Sequence, residues 1–455
     1  MTASNSIGVF RVWGKDQRSG VAMADSSAAT ISTMATGAKA VRFTLHLYLT
    51  AYSSGTATYT LAWTENSVSK SINVAASAAN TPKTTTALAW PDDSTAVTVQ
   101  LTGPFSATAT IEALVEVEQE GDFLLYINDP NGLTQTAIDN AVTAGYTGIY
   151  LDANVTYTVS STLKLGNSGG TEQPFIVRST MYGGAAAGDT DTPPSSYINL
   201  TMTTGDGIHI PDNAAKVRLE GVAIIGNTTG ACVHINGARE SGLDNCYVKN
   251  THSGSGYAVV IDASTGGADA EDNDSSQCYF KGWRALGIGV SDVTFHSNDC
   301  LWTAITTSGV DSGVYHAAGG NHTFIDWYDR SNPSTAAFNQ SGGVAVLIGG
   351  EDKTTTSGGN AILLSGGQLW IRHRRITNAG ATTDVKNTGG DLYLNGVQAD
   401  PTTGYVLLQT GGTVTIGRDC YSTGATFTCN SGSIYYPTTT AHGVTPGGTG
   451  TLKAY

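Results

Sequence analysis

Gly366-Gly367-Gln368-Leu369-Trp370-Ile371, Gly389-Gly390-Asp391-Leu392-Tyr393-Leu394 and Gly411-Gly412-Thr413-Val414-Thr415-Ile416 repeat one pattern: a glycine pair, a polar residue, then three residues of strand type. The pairs extend upstream to 342/343 and 319/320. A degenerate Ser431-Gly432, followed by Ile434-Tyr435-Tyr436, closes the series, at intervals of 20 to 24 residues. A second short strand precedes several pairs, as in Ala361-Ile362-Leu363-Leu364 and Tyr405-Val406-Leu407-Leu408. Each unit therefore reads strand, glycine turn, strand, loop. Self-similarity at this period is the mark of stacked coils, each burying its face only against its neighbours. Glycine suits the corners because it accepts positive φ without a Cβ clash.

The pattern continues upstream in weaker form. Val217-Arg218-Leu219-Glu220 and Gly242-Leu243-Asp244-Asn245 lie about 24 residues apart, and Gly207-Ile208-His209-Ile210 and Cys232-Val233-His234-Ile235 repeat at a step of about 25. Asn227 and Asn250 end two of these coils and are candidates for a stacked ladder. The expected fold class is all-β: a parallel β-helix over residues 121–436, with the Thr-, Gly- and Pro-rich 437–455 as an irregular C-terminal cap. Residues 1–120 read as a separate β-sandwich. Val41 to Leu49 alternates apolar and mostly polar side chains, the period of a strand with one face on a core. Ala57, Tyr59, Leu61 and Trp63 repeat it, as do Val97, Val99 and Leu101, then Ile111, Ala113, Val115 and Val117. The module is either for attachment or glycan binding, or a folding and spacer domain.

Between the two parts lies one clear helix near 134–144. Leu133, Ala137, Ile138, Ala141 and Val142 fall at helical spacing, Thr134 can cap the start, and Gly145 can end it. Gly148-Ile149-Tyr150-Leu151, Tyr157-Thr158-Val159 and Leu163-Lys164-Leu165 follow as strands. This run of Thr136 to Val142, Gly148 to Leu151 and Tyr157 to Val159 resembles the entry to pectate-lyase-like right-handed parallel β-helices, where a capping helix precedes the first short strands. Asn154-Val155-Thr156 stands where that family usually has a glycine.

Composition removes several classes. Of 455 residues, 56 are glycine, but no Gly-X-Y period appears, so collagen is out. No run of 18 apolar residues is present, so no membrane-spanning helix is expected. With a net charge of −14 and only 13% charged residues, the chain lacks the basic face of a nucleic-acid binder. The N-terminus, Met1 to Ile7, has neither the basic nor the apolar region of a Sec signal, so production in a host cytoplasm is expected. The six cysteines form no C-x-x-C pair and read as buried small side chains; a Cys420–Cys429 bridge stays open. No Walker loop, dinucleotide fingerprint or G-x-S-x-G elbow appears, and His296, His316 and His322 match no zinc spacing, so neither cofactor nor metal is expected. The acidic insertion around Asp269 to Asp274 resembles a Ca²⁺-type oxygen cluster but lacks the glycine and terminal glutamate of an EF-hand loop and reads as a solvated loop, and Asp292, Asp299 and Asp311 are a second possible acid group on neighbouring coils.

A long β-helix fronted by a separate β-module resembles bacteriophage tailspikes and tail fibres. That resemblance implies a virion protein that binds a bacterial surface polysaccharide. It also implies a parallel homotrimer and an N-terminal module attached to other virion proteins. A non-enzymatic capsid fibre or decoration protein and a polysaccharide lyase are the alternatives. Glycoside hydrolysis needs two carboxylates about 5–9.5 Å apart. Coils stack at about 4.8 Å, so acids on neighbouring coils come into range. Aligned on the glycine pairs, Asp326 and Glu351 are the candidate catalytic acids. Trp327, Tyr328 and Trp370 are candidate sugar platforms, and Arg372, His373, Arg374 and Arg375 candidate holders of an acidic sugar or phosphate. The competing reading makes these charges an ordinary surface salt bridge. In a binding-only fibre, Trp283, Trp302, Trp327 and Trp370 would make the glycan contacts.

Overall fold

The computed structural model describes residues 11–22, 28–33, 41–51, 57–65, 68–76, 83–89, 96–102 and 110–119. It also describes 124–454, apart from 144–145, 169–170, 173, 184–190, 213, 264–269, 291–296, 318, 355–358, 379–382, 400–404, 418, 423–425, 437–443 and 447–449. The chain divides into two compact units, Met1–Leu125 with Asn140–Gly148, and Tyr126–Asp139 with Ile149–Tyr455.

In the first unit eight strands form two four-stranded sheets with antiparallel pairings. One runs Arg11–Ala22, Thr110–Gln119, Val41–Ala51, Lys83–Ala89; the other runs Ala28–Thr33, Ala96–Thr102, Ala57–Glu65, Val68–Ala76. All four alternating segments read from the sequence fall within these strands. The helix spans Gln135–Thr143, with the Thr134 hydroxyl accepting the Ala137 amide at 3.1 Å, an N-cap bond. The proposed C-cap Gly145 lies outside the described residues.

The second unit is a parallel β-solenoid of about 11 turns. Each typical coil lays one strand in a 15-stranded sheet and two in a 21-stranded sheet, as Val217–Glu220, Ala223–Gly226 and Ala231–Asn236 do before Gly242–Asp244, Tyr247–Asn250 and Tyr257–Asp262 repeat them. Tyr157, fully buried at the entry, has its hydroxyl satisfied at both ends: it donates to the Ile127 carbonyl at 2.6 Å and accepts the Asp152 amide at 2.8 Å.

Strand alternation sends one column of side chains inward on every coil. Ile208, Val233, Val259, Leu286, Val314, Phe338, Ile362, Val385 and Leu407 are register partners in turn, and all are buried. Burying each such side chain stabilises the stack by roughly 1.5–3 kcal/mol. At its polar end the same sheet turns inward Gln340, Asn387 and Gln409, whose amides donate to carbonyls of the glycine corner and of the next coil's strand.

Two corners recur. The glycine pairs form the first: Gly343, Gly367, Gly390, Gly412 and Gly432 have φ between 66° and 86°. A methyl group on any of the last four would stand 2.2–2.6 Å from the carbonyl oxygen of the glycine one coil before. Both demands, backbone and space, select glycine. The second corner holds one left-handed residue per coil: Gly221, Asn245, Gln277, Ala304, Asp326, Gly349, His373, Gly396 and Asp419, with φ of 50–67°. From Asn245 to His373 the amide of each donates to the following coil at 2.8–3.0 Å.

The coils continue beyond 436. Val444–Pro446 pairs with Phe427–Cys429 and Thr451–Ala454 with Ser433–Tyr436, where the sequence reading placed an irregular cap. Asn227 and Asn250 are not register partners, because Asn250 pairs with Gly226. All six cysteines are buried and none is in a disulfide, so Cys420 and Cys429 are not bridged. Among the described residues no helix is long and apolar enough to cross a membrane.

Candidate functional site

The outward column of the 15-stranded sheet reads Thr323, Val346, Trp370, Tyr393, Thr415, Tyr435 along successive coils. Trp370 and Tyr393 are therefore stacked by register, with ring centroids 3.8 Å apart and planes 9° from parallel. Thr415 ends the stack, and the space it leaves opens as a cleft of about 550 Å³ lined by Trp370, Tyr393, Arg372, His373, Asn395 and Asp419, among others. Arg372 closes the strand Gln368–Arg372 with its guanidinium 5.7 Å from the Trp370 ring centre. His373 occupies the left-handed corner, and Gly396 one coil on leaves room for its ring; a Cβ there would lie 2.7 Å from His373 Nδ1. The cleft thus joins an aromatic wall to a cation and to polar side chains of both kinds, the general make-up of a ligand site.

The structure separates the other residues singled out in the sequence. Tyr328, Glu351 and Arg375 are register partners on the 21-stranded sheet, around the corner from Trp370. Glu351 lies 3.7 Å from Arg375 and 3.8 Å from Arg330, and Arg330 stands over the Tyr328 ring. Asp326 is exposed in the left-handed corner, where its register places it beside Gly349; Glu351 sits two positions further along its own coil. Coil stacking alone therefore does not set their separation.

Trp327 and Arg374 do not belong to any ligand surface. Both are wholly inside the solenoid, at 0% and 1% exposure. Arg374 makes a two-pronged ion pair with buried Asp352 at 2.7 and 2.8 Å, donates to the carbonyls of Trp327 and Gly349 at 3.0 and 2.9 Å, and lies over the Trp327 ring at 4.3 Å. The corner residue His373 explains the misreading: one left-handed residue reverses the phase of the alternation, turning Arg374 inward while Arg372 and Arg375 stay exposed. Trp302 is likewise buried, its indole N–H donated to His322 at 3.1 Å, so it too leaves the glycan-contact set. Of the acid groups, Asp274 pairs with Arg218, Glu271 with Arg239 at 3.5 Å, and Asp311 with Arg284 at 2.7 Å; Asp269, Asp292 and His296 lie outside the described residues.

A second constellation was not singled out as a site in the sequence. His209 and His234 are register partners on neighbouring coils, with rings edge to face at 5.2 Å. Asp206, just before the strand Ile208–Ile210, places Oδ2 2.7 Å from His234 Nδ1 and 3.6 Å from His209 Nδ1. Buried Asp262 faces His234 Nε2 at 3.4 Å. Burial would lower the His234 pKa, but the two flanking carboxylates raise it to about 9. Burial would raise the Asp206 carboxyl, but the hydrogen bonds from His209 and His234 outweigh it and hold it far below the usual carboxylate range. The step of 25 residues that carries both histidines was the available signal.

No protein-family model matches the chain, and neither does any curated protein. Among solved structures, the Agl-KA catalytic domain is 11% identical over 95% of this chain and 90% of its own, with a TM-score of 0.44. PfbA, a surface adhesin of Streptococcus pneumoniae, is 11% identical over 69% of this chain and 90% of its own, at 0.41. Full-length tailspike protein 2 from Escherichia coli O157:H7 bacteriophage CAB120 is 11% identical over 71% of this chain and 43% of its own, at 0.43. What the residues of this chain build is a parallel β-helix.

Proposed function

We propose that the solenoid binds a polysaccharide in the Trp370–Tyr393 cleft, as the receptor-gripping body of a tailspike-type virion protein. The observation that carries this reading is the half-buried aromatic stack in an open cleft beside Arg372 and His373. Sugar rings present C–H faces that settle against aromatic rings, while their hydroxyls need donors and acceptors of the kind Asn395 and Asp419 supply. Arg372 gives the site a preference for an acidic sugar or a phosphate group. The resemblance of a long β-helix fronted by a separate β-module to bacteriophage tailspikes supports the tailspike setting. In that setting the N-terminal module, as a β-sandwich, would attach the spike to other virion proteins. A parallel trimer would present three clefts and convert weak single contacts into avid attachment. Asp326 and Glu351 are the acids to replace in any assay for cleavage of the bound chain.

Host-cell labelling and glycan titration test the cleft. Trp370→Ala and Tyr393→Ala should each weaken binding at least about tenfold, a loss of about 1.4 kcal/mol, with the circular dichroism spectrum unchanged. Equal binding by both folded variants would remove the cleft from the proposal.

A further inference from the structure

We propose that Asp206, His209 and His234 form a binding site for a single divalent transition-metal ion of the zinc type, with Asp262 as the outer carboxylate that orients His234. This site shares no residue with the aromatic cleft and does not depend on the function proposed for it. One ligand atom of each of the three residues lies within 4.8 Å of those of the other two, close enough to converge on one ion. Two imidazoles and a carboxylate suit Zn²⁺, Co²⁺ or Ni²⁺; Ca²⁺ and Mg²⁺ call for oxygen ligands throughout.

The groups are held in place before any ion arrives. Parallel pairing of Ile208–Ile210 with Ala231–Asn236 fixes the two histidines side by side. Asp206 Oδ1 accepts the Ala231 amide at 2.9 Å, and the Asp206 carbonyl accepts the Thr162 hydroxyl at 2.7 Å, leaving Oδ2 turned to the imidazoles. Asp262 is an independent pointer. Its Oδ1 accepts the Val290 amide at 2.6 Å, and its Oδ2 stands against the far nitrogen of His234. A buried carboxylate beside the far ring nitrogen is the usual support of a metal-bound histidine. Here it is an ion-pair contact at 3.4 Å that favours the proton on Nε2, and an ion at Nδ1 would displace the proton that nitrogen shares with Asp206 at 2.7 Å. The ligand side chains are 13–25% exposed, which gives an ion a way in and leaves water the remaining coordination positions. Because Asp206 and His209 come from one coil and His234 from the next, the ion would pin two coils together.

The test uses the full chain, stripped with a chelator, dialysed, and titrated with Co²⁺ and Zn²⁺ by calorimetry and visible absorption. The expected result is one Co²⁺ per chain with ligand-field bands, displaced by Zn²⁺. His234→Ala should abolish this uptake, and His209→Ala, on the more exposed ring, should weaken it at least tenfold. Asp262→Asn should lower affinity about 10- to 100-fold while keeping stoichiometry and spectrum, as expected of a positioning residue. If His234→Ala does not fold, the His209→Ala titration decides. The proposal is overturned by absence of uptake in the unaltered chain, or by uptake that His209→Ala leaves unchanged. Absence of uptake would mean that the cluster is only an Asp–His–Asp ion-pair network bridging two coils.

Discussion

Asp329 sits wholly inside the solenoid, where its carboxyl accepts hydrogen bonds from the Thr307 hydroxyl at 2.9 Å and from the Ser331 amide and hydroxyl at 3.0 and 2.6 Å. Burial, and then the charge of its register partner Asp352, push its pKa up to about 7, from an ordinary value of 3.8. The sign of the consequence follows. Between about 4 and about 7 the folded chain keeps a proton that the unfolded chain has released, so stability falls as pH rises through that window. Asp329→Asn keeps a neutral hydrogen-bonding group and removes the titration. Denaturant unfolding followed across this range should therefore give a shallower loss of stability for the variant than for the parent; parallel curves would contradict the assignment. Asp352 is itself held in a buried ion pair with Arg374 at 2.7 Å. Removing one partner of such a buried pair costs about 3–5 kcal/mol, so Arg374 is an architectural residue. Nothing in Arg372-His373-Arg374-Arg375 as a string distinguishes its members. Only the left-handed backbone at His373 decides which arginine faces inward, and a histidine is not a strong enough turn signal to be read as one.

At the scale of the element, the two corners do unequal work. Gly390 combines φ of 86° with a carbonyl oxygen 2.6 Å from where a Cβ would stand, whereas Gly205 has φ of 78° and nothing within 4 Å. Gly205→Ala should cost about 1 kcal/mol for the backbone alone, and Gly390→Ala more, about 2–3 kcal/mol, because the coil must also open. Thermal unfolding of the two variants compares them directly, and an equal loss would show that coil contact at the glycine corner is slack. The glycine corner was legible because it demands one residue type at a fixed place in every coil. The left-handed corner was not, since Asn, Gln, Ala, Asp, His and Gly all serve there. That difference runs through the candidate site. The period put Trp370 and Tyr393 in one column, and their stacking follows from it. Asp326 and Glu351 stand six and eight residues after their aligned glycines, and the register preserves that offset, so they share no column. A period states which residues share a column; it is silent on which face the column presents once a corner of variable sequence intervenes, and so Trp327 was read as exposed.

In the solenoid as a whole, stability is close to a sum over neighbouring coils, and each coil is as secure as its two interfaces. Those interfaces are not alike. Phe280, Trp302, Phe324, Trp327 and Phe338 are buried in one connected group, with ring centroids 5.4–6.4 Å apart, in offset, tilted and edge-to-face contacts. Large rings bury more apolar surface per coil than the Leu, Ile and Val columns of the later turns, and aromatic pairs add about 0.5–1.5 kcal/mol each. Among the described residues, Thr451–Ala454 pairs only with Ser433–Tyr436 in its sheet and carries mostly exposed residues. Hydrogen exchange should therefore be graded along the chain: slowest for the amides of Tyr279–Ile288, Gly320–Ile325 and Ala336–Gln340, faster through Tyr405–Gln409, and fastest in Thr451–Ala454. Coils that bury less aromatic surface open more readily, and this gives the order. Exchange at one common rate from Tyr279 to Ala454 would instead mean that these coils open together, and that the aromatic block holds no more tightly than the aliphatic turns beyond it.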